Sequence, residues 1–280
     1  MVTAQPTRQL GIMVFGAHPD DADIKAGGSA AKWAKQGHRV RLISLTNGDA
    51  GHQEQAGGAL ARRRRAEAEA CGKALGVDYW VMDNHDGELE PTLANRKLVI
   101  NLIREFQPDV VMLPRPNDYH PDHRYTSMLV QDAAYMVTVP NVAAFARHLE
   151  RNPVFMYVSD HFQRPYPFTP DVAVSIDDVL EQKLDAVHQH TSQMYEWLPY
   201  NGGYLDQVPA DLSQRRTWLG ERRFVRDSGL AEKYRDLLIR FYGAEQGARV
   251  RYAEAFEICE LGRRPDEQEL RELFPFFPQV

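Results

Sequence analysis

Between residues 11 and 114 short apolar runs alternate with helical patterns, and this alternation constrains the fold more than any other feature of the chain. Residues 11–17, 39–46, 77–82 and 109–114 read as strands, bounded by glycine, proline or polar turn residues. Helical patterns follow them, from Pro19 to a stop at Gly37, over about 59–75, over 92–106, and again beyond His123. Such repetition builds a parallel sheet through right-handed crossovers. The expectation is an α/β fold: a Rossmann-like, mostly parallel sheet flanked by helices, with strand order 3-2-1-4 and a C-terminal extension. The first and fourth strands then lie side by side, and their carboxyl ends flank one crevice.

Beyond residue 139 the pattern loosens. Residues 153–159, 171–176 and 249–258 read as further strands, and 177–197 and 212–242 as helices, the last rich in arginine with its charged face toward solvent. One α/β domain over 1–280 is expected, a Rossmann-like core at 1–145 with an extension at 146–280 that contributes to the cleft. For the phenylalanine-rich tail at 273–280, packing on the core is favoured over a contact within a homo-oligomer. A net charge of −6 gives no global attraction to nucleic acid. No run reaches membrane-spanning length, and the opening MVTAQPTRQL lacks the basic and apolar regions of an export signal. Two cysteines are too few for a disulfide framework, so the expectation is a cytoplasmic protein without membrane insertion.

The chemistry sits where two of the strands stop. The first ends in His18-Pro19-Asp20-Asp21, and the fourth is followed by His120-Pro121-Asp122-His123. His18 and Asp21 are three apart, so a first helical turn brings them to one side, while Asp20 diverges from Asp21 by about 100°. Two histidines and one carboxylate leave a coordination position for water, the arrangement of catalytic zinc. His18, Asp21 and one of His120 or His123 meet that count. Asp20 is then free to deprotonate the water, and the remaining imidazole to stabilise an oxyanion. Acids at a helix start are ordinarily caps, but two such segments at neighbouring strand exits favour a metal site.

Together, AHPDDAD, LTNGDAG, RRAEAEACGKALGV and NDYHPDHR, in that order, resemble the zinc-dependent N-acetylglucosaminyl deacetylases of the PIG-L and LmbE-like family, which includes the deacetylases of mycothiol and bacillithiol synthesis. The resemblance is dense from about residue 11 to 130, with KLDAVHQHTSQ and YAEAFEI as weaker echoes. It implies that His18, Asp21 and His123 bind zinc, that Asp20 is the general base, and that His120 is a positively charged stabiliser whose ring Asp122 holds and charges. It also implies Asp49, Arg64 and Asp86 around a sugar pocket. The family commonly has glutamate shortly after HPDD where this chain has Asp23, which shortens the reach of that carboxylate.

The implied activity is removal of an N-acetyl group from an N-acetylglucosamine-type sugar or conjugate. Zinc is the expected cofactor, and ferrous iron or another divalent ion suits the same ligands. Hydrolysis of a non-sugar amide, such as an antibiotic precursor, is the nearer alternative. A nucleotide-binding domain is disfavoured because the first strand exit has no G-x-G-x-x-G. Arg62 to Arg65 are four consecutive arginines, most of which must face solvent. Asp49 and Asp86 are also compatible with plain turns. His188 and His190 are assigned to packing, as is Tyr119.

Overall fold

The computed structural model describes residues 8–278, apart from the side chains of 223–226. The first seven residues of the segment read for an export signal, and the last two of the tail, lie outside these. Seven strands form one sheet: β1 (Gly11–Gly16), β2 (Arg39–Thr46), β3 (Asp78–Asn84), β4 (Val110–Leu113), β5 (Val154–Val158), β6 (Val172–Ser175) and β7 (Ala253–Ile258). Their order is β3-β2-β1-β4-β5-β7-β6, so the expected 3-2-1-4 is present. β1 to β5 run parallel, and β7 is antiparallel to both β5 and β6.

Burial follows position in the sheet. The central β1 and β4 are buried at every residue, as expected of parallel strands covered on both faces. At the edge, β3 alternates, with Tyr79 and Val81 inward and Trp80 and Asp83 exposed. Helices α1 (Asp21–Lys35), α2 (Gly57–Leu75), α3 (Leu93–Phe106) and α4 (Pro121–Met136) cover the two faces. Ile12 and Val14 pack toward α1 and α2, whereas Met13 and Phe15 pack toward α3 and α4.

The second half departs from the sequence reading in three places. Residues 177–197 are not one helix: a 3-10 turn (Asp177–Val179) leads into α5 (Leu180–Val187), and a π-helical turn (Gln193–Trp197) runs into α6 (Leu198–Asn201). Helical structure resumes at Thr191, and there Glu67 of α2 accepts from Ser192 N and Ser192 Oγ, at 2.9 and 2.6 Å, capping the start of the second stretch. The arginine-rich stretch forms α7 (Leu212–Lys233) and α8 (Arg235–Tyr242), followed by α9 (Ala244–Arg249). The late strand therefore starts only at Ala253, because Asp177 accepts from the N–H of Arg251 and of Tyr252 and keeps both out of the sheet. A further helix, α10 (Glu267–Leu273), was not anticipated and is capped by Asp266. Beyond it Phe274 and Phe277 are buried, with ring centroids 5.0 Å from Trp33 and 4.6 Å from Phe241, so the tail packs on the core.

The two weaker echoes of the sequence converge on α1. Glu254 of β7 accepts from the N–H of Gly28 and of Ser29, both at 2.8 Å, and meets Lys183 Nζ at 2.9 Å. The first helix is thus tied to the last strand. Among the described residues no helix is long and apolar enough to cross a membrane.

Candidate active site

β1 and β4 end side by side, and their exits deliver both histidine segments to one cleft of about 580 Å³. After β1 the chain turns within two residues, Asp20 N and Asp21 N donating to His18 O at 2.8 and 3.2 Å. The acids that follow are not caps. Asp20 occupies the N-cap position of α1 without a capping bond, and its Oδ1 accepts from Arg64 Nη2 at 3.2 Å. Asp21 Oδ2 turns back to accept from the N–H of Ala17 and of His18, at 3.0 and 2.8 Å. At α4 the cap is an imidazole: His120 Nδ1 accepts from Asp122 N at 3.2 Å, with Pro121 in the first turn.

Three ligand-type atoms converge in front of these turns. His18 Nδ1 lies 3.2 Å from His123 Nε2 and 3.4 Å from Asp21 Oδ2, and the last two are 3.3 Å apart. Ligands about 2.0–2.1 Å from a tetrahedral zinc stand roughly 3.3–3.4 Å from one another. The triangle therefore fits such an ion and leaves a fourth position toward the cleft. Both imidazoles are backed by carboxylates. His18 Nε2 is 3.0 Å from Asp86 Oδ1 and 3.4 Å from Asp122 Oδ2, and His123 Nδ1 is 2.9 Å from Asp118 Oδ1. Holding the outer nitrogen turns the inner lone pair toward a shared ion. His120 differs, because its Nδ1 lone pair already receives the Asp122 N–H. That bond implies a neutral ring carrying its proton on Nε2.

Electrostatics favour positive charge between the three atoms. Burial opposes charge on His18, yet bonds to Asp122, Asp21 and Asp86 hold its pKa well above the ordinary value. Burial likewise opposes His123, but Asp21 and Asp118 push it up to about 9. Asp21 is held well below the carboxylate range, His123 and His18 outweighing its burial. Asp20 moves the other way: burial raises it, Arg64 works against that rise, and neighbouring Asp21 adds to it. His120 is pushed down by burial and by the two neighbouring imidazoles. The N-terminus of α4 adds to that effect.

The remaining expected residues divide. Asp86 lines the cleft, bonded to His18. Arg64 is 2% exposed, unlike the exposed Arg62 and Arg65 beside it, and reaches from α2 to Asp20. Its path requires Gly48, which has φ +69° and where a Cβ would stand 2.4 Å from Arg64 Nη1. Asp49 does not line the cleft. Its carboxylate is spent on His85 Nδ1, at 2.6 Å, and on Asp86 N, at 3.0 Å, so it braces the turn that carries Asp86. Asp122, fully buried, makes no side-chain bond to the His120 ring. It accepts from Gly87 N and Leu89 N and neighbours His18 instead, so the expected charging of His120 by Asp122 has no hydrogen bond to act through.

Sequence reasoning missed three participants. Asp118 holds His123, and an acid five residues before a ligand histidine was the available signal. Glu67 was hidden in an Ala/Arg/Glu-rich helix. His190, assigned to ordinary packing, is fully buried with Nε2 3.2 Å from Asp23 Oδ2, and Asp23 also accepts from Tyr79 OH at 3.1 Å.

A family model described as PIG-L, GlcNAc-PI de-N-acetylase, matches residues 13–134. A diacetylchitobiose deacetylase of Thermococcus kodakarensis is 32% identical over 204 residues, covering 68% of this chain and 74% of that protein. A 4-oxalmesaconate hydratase of Pseudomonas putida is 24% identical over 202 residues, covering 69% and 78%. Among solved structures, an N,N′-diacetylchitobiose deacetylase from Pyrococcus horikoshii, complexed with its inhibitor MPG, is similar with a TM-score of 0.68 at 26% identity. The match covers 90% of this chain and 84% of that one.

Proposed function

This chain belongs to the PIG-L family, and on that premise we propose that it is a metal-dependent hydrolase that removes the N-acetyl group of an N-acetylglucosamine-type sugar or conjugate, releasing acetate and a free amine. The observation that carries the reading is the His18–Asp21–His123 triangle, with edges of 3.2–3.4 Å and carboxylates behind both imidazoles. Zinc, or ferrous or another divalent ion, would be held by these three residues, and when bound it supplies a Lewis acid that acidifies water and polarises the acetamide carbonyl.

The chain's own groups do the rest. Asp20 takes the proton of the attacking water and returns it to the departing amine. Its burial makes the carboxylate more basic than usual, and the Arg64 guanidinium fixes its orientation. His120 donates its Nε2–H to the oxygen that gains charge at the tetrahedral stage, as a neutral rather than a charged donor. Asp118 and Asp86 hold His123 and His18, and Asp49 and Asp122 hold the Asp86 turn and the segment after it. The strands β5, β7 and β6 extend the sheet that begins with β1. Residues 1–280 are therefore read as one domain whose part beyond 145 supplies one wall of the cleft. Two free, buried cysteines suit a reducing cytoplasm, where we place the protein.

A second reading, hydration of a carboxylated substrate, is raised by the hydratase relative. It is disfavoured by the higher identity to a deacetylase, 32% against 24% to that hydratase. The test is acetate and amine release from a panel of N-acetylated sugars by zinc-loaded protein. Asp20→Asn is expected to keep the metal and lose about 10²–10⁴-fold in kcat, while His123→Ala loses metal and turnover together. Wild-type rates in Asp20→Asn would remove the mechanism.

A further inference from the structure

A second group of ligand-type side chains lies beneath the cleft, and the chemistry above does not use it. Asp23 comes from the first turn of α1, Cys71 from α2, and His190 from the segment between α5 and the π-helical turn. All three are 0% exposed. A carboxylate oxygen, the thiol sulfur and an imidazole nitrogen lie within 4.8 Å of one another.

These donors are not spent on each other. His190 Nε2 stands 3.2 Å from Asp23 Oδ2 without the alignment of a hydrogen bond, and among the described residues neither that oxygen nor either ring nitrogen has a hydrogen-bond partner. A buried imidazole with both nitrogens unpaired is a costly state that folded chains ordinarily avoid. The carboxylate is nevertheless oriented. Tyr79 OH donates to Asp23 Oδ1 at 3.1 Å, which leaves Oδ2 facing the ring. The backbone at His190 is held as well, its carbonyl accepting from Gln193 N and Met194 N at 3.1 and 2.8 Å.

The donor set selects the ion. One thiolate, one imidazole and one carboxylate suit zinc, cobalt or a similar divalent ion, whereas magnesium and calcium take oxygen ligands. The 3.2 Å edge between His190 and Asp23 matches the roughly 3.3–3.4 Å that separates nitrogen and oxygen ligands of a tetrahedral zinc. Charge balances too, because a divalent cation meets one carboxylate and one thiolate and the buried cluster becomes neutral as a whole. The Tyr79 phenol stands behind the carboxylate as its outer partner.

We propose that Asp23, Cys71 and His190 form a second metal site, separate from the His18–Asp21–His123 triangle, which takes a zinc-like divalent ion and pins α1, α2 and the chain entering the π-helical turn to one another. On binding, the Cys71 thiol gives its proton to solvent and the sulfur becomes the ligand. Since every donor is buried, the ion is taken up as the chain folds. The assignment does not depend on which reaction the cleft performs.

Cobalt supplied during expression tests it, because a cobalt-bound thiolate gives an intense near-ultraviolet charge-transfer band and the triangle of the cleft contains no sulfur. Wild type should hold about two cobalt ions per chain by elemental analysis and show the band. Cys71→Ala should hold about one and lose the band, while His123→Ala, which gives up the ion of the cleft, should hold about one and keep the band. A wild-type spectrum without the band, or a band that survives in Cys71→Ala, overturns the assignment. Should Cys71→Ala fail to fold, the double variant His123→Ala/Cys259→Ala decides, because Cys71 is then the sole cysteine of the chain. The band in that protein supports the site, and its absence refutes it.

Discussion

Removing the Asp118 carboxylate should weaken metal binding in a way that changes with pH. In Asp118→Ala, His123 Nδ1 loses its 2.9 Å partner and the His120 N–H loses one at 3.1 Å, while the three ligand atoms themselves are untouched. Loss of such an outer partner costs about 10–100-fold in metal affinity, or roughly 1.4–2.7 kcal/mol. A second effect opposes it. His123 is pushed up to about 9, with Asp118 among the causes after burial and Asp21. At pH 7 a metal must therefore displace a proton, which weakens apparent binding by about fiftyfold relative to pH 9, where half of the rings still carry it. Without Asp118 that proton is held less tightly. The variant's deficit should accordingly be smallest near pH 7 and widen toward pH 9. Competition for zinc against a chromophoric chelator at pH 7, 8 and 9 measures both effects. Wild-type affinity at all three values would refute the idea that Asp118 holds a ligand, and a deficit independent of pH would refute the proton competition.

Two other perturbations probe the surroundings of the site. His190→Ala leaves the buried Asp23 without its imidazole and should destabilise the fold by about 3–5 kcal/mol; in Asp23→Asn/His190→Ala part of that loss returns, and additive losses in a denaturation cycle would contradict a coupled pair. Glu196 is held below the ordinary glutamate value of 4.5, mainly by its bond to Arg63 and against its partial burial. Its contribution is therefore complete above that value and disappears as pH falls through the lower folded-state pKa. Melting curves of wild type and Glu196→Gln should differ at pH 7 and converge under acid conditions, and a constant gap would assign the difference elsewhere.

How much could be read in advance depended on the range of the interactions. β2 was bounded to the residue because the turn signals at Gly37 and Asn47-Gly48 lie against it. His18, Asp20 and Asp21 could be assigned to one turn because spacing within a turn is local. The order of β1 and β4, which brings His123 to His18 across a separation of 105 residues, followed from crossover rules rather than from any residue. What stayed hidden was decided at long range. Nothing in four successive arginines marks Arg64 as the buried one, since its partner Asp20 is 44 residues away. The helical stretch that resumes after α5 is capped by Glu67, 125 residues away from the Ser192 that it binds. His120 and His123 were equivalent by pattern, and the hydrogen bonds to their outer nitrogens distinguish them.

The position of β7 governs when the catalytic apparatus can form. All the proposed metal ligands and proton carriers of the cleft have been synthesised by residue 123, yet the helix that presents Asp20 and Asp21 is gripped by Glu254, and β7, which starts at Ala253, must slot between strands that start at Val154 and Val172. A nascent chain halted before that point would carry every reactive group and still lack the clasp that aligns them. Competence is thus conferred late in synthesis, by a segment that takes no part in the reaction.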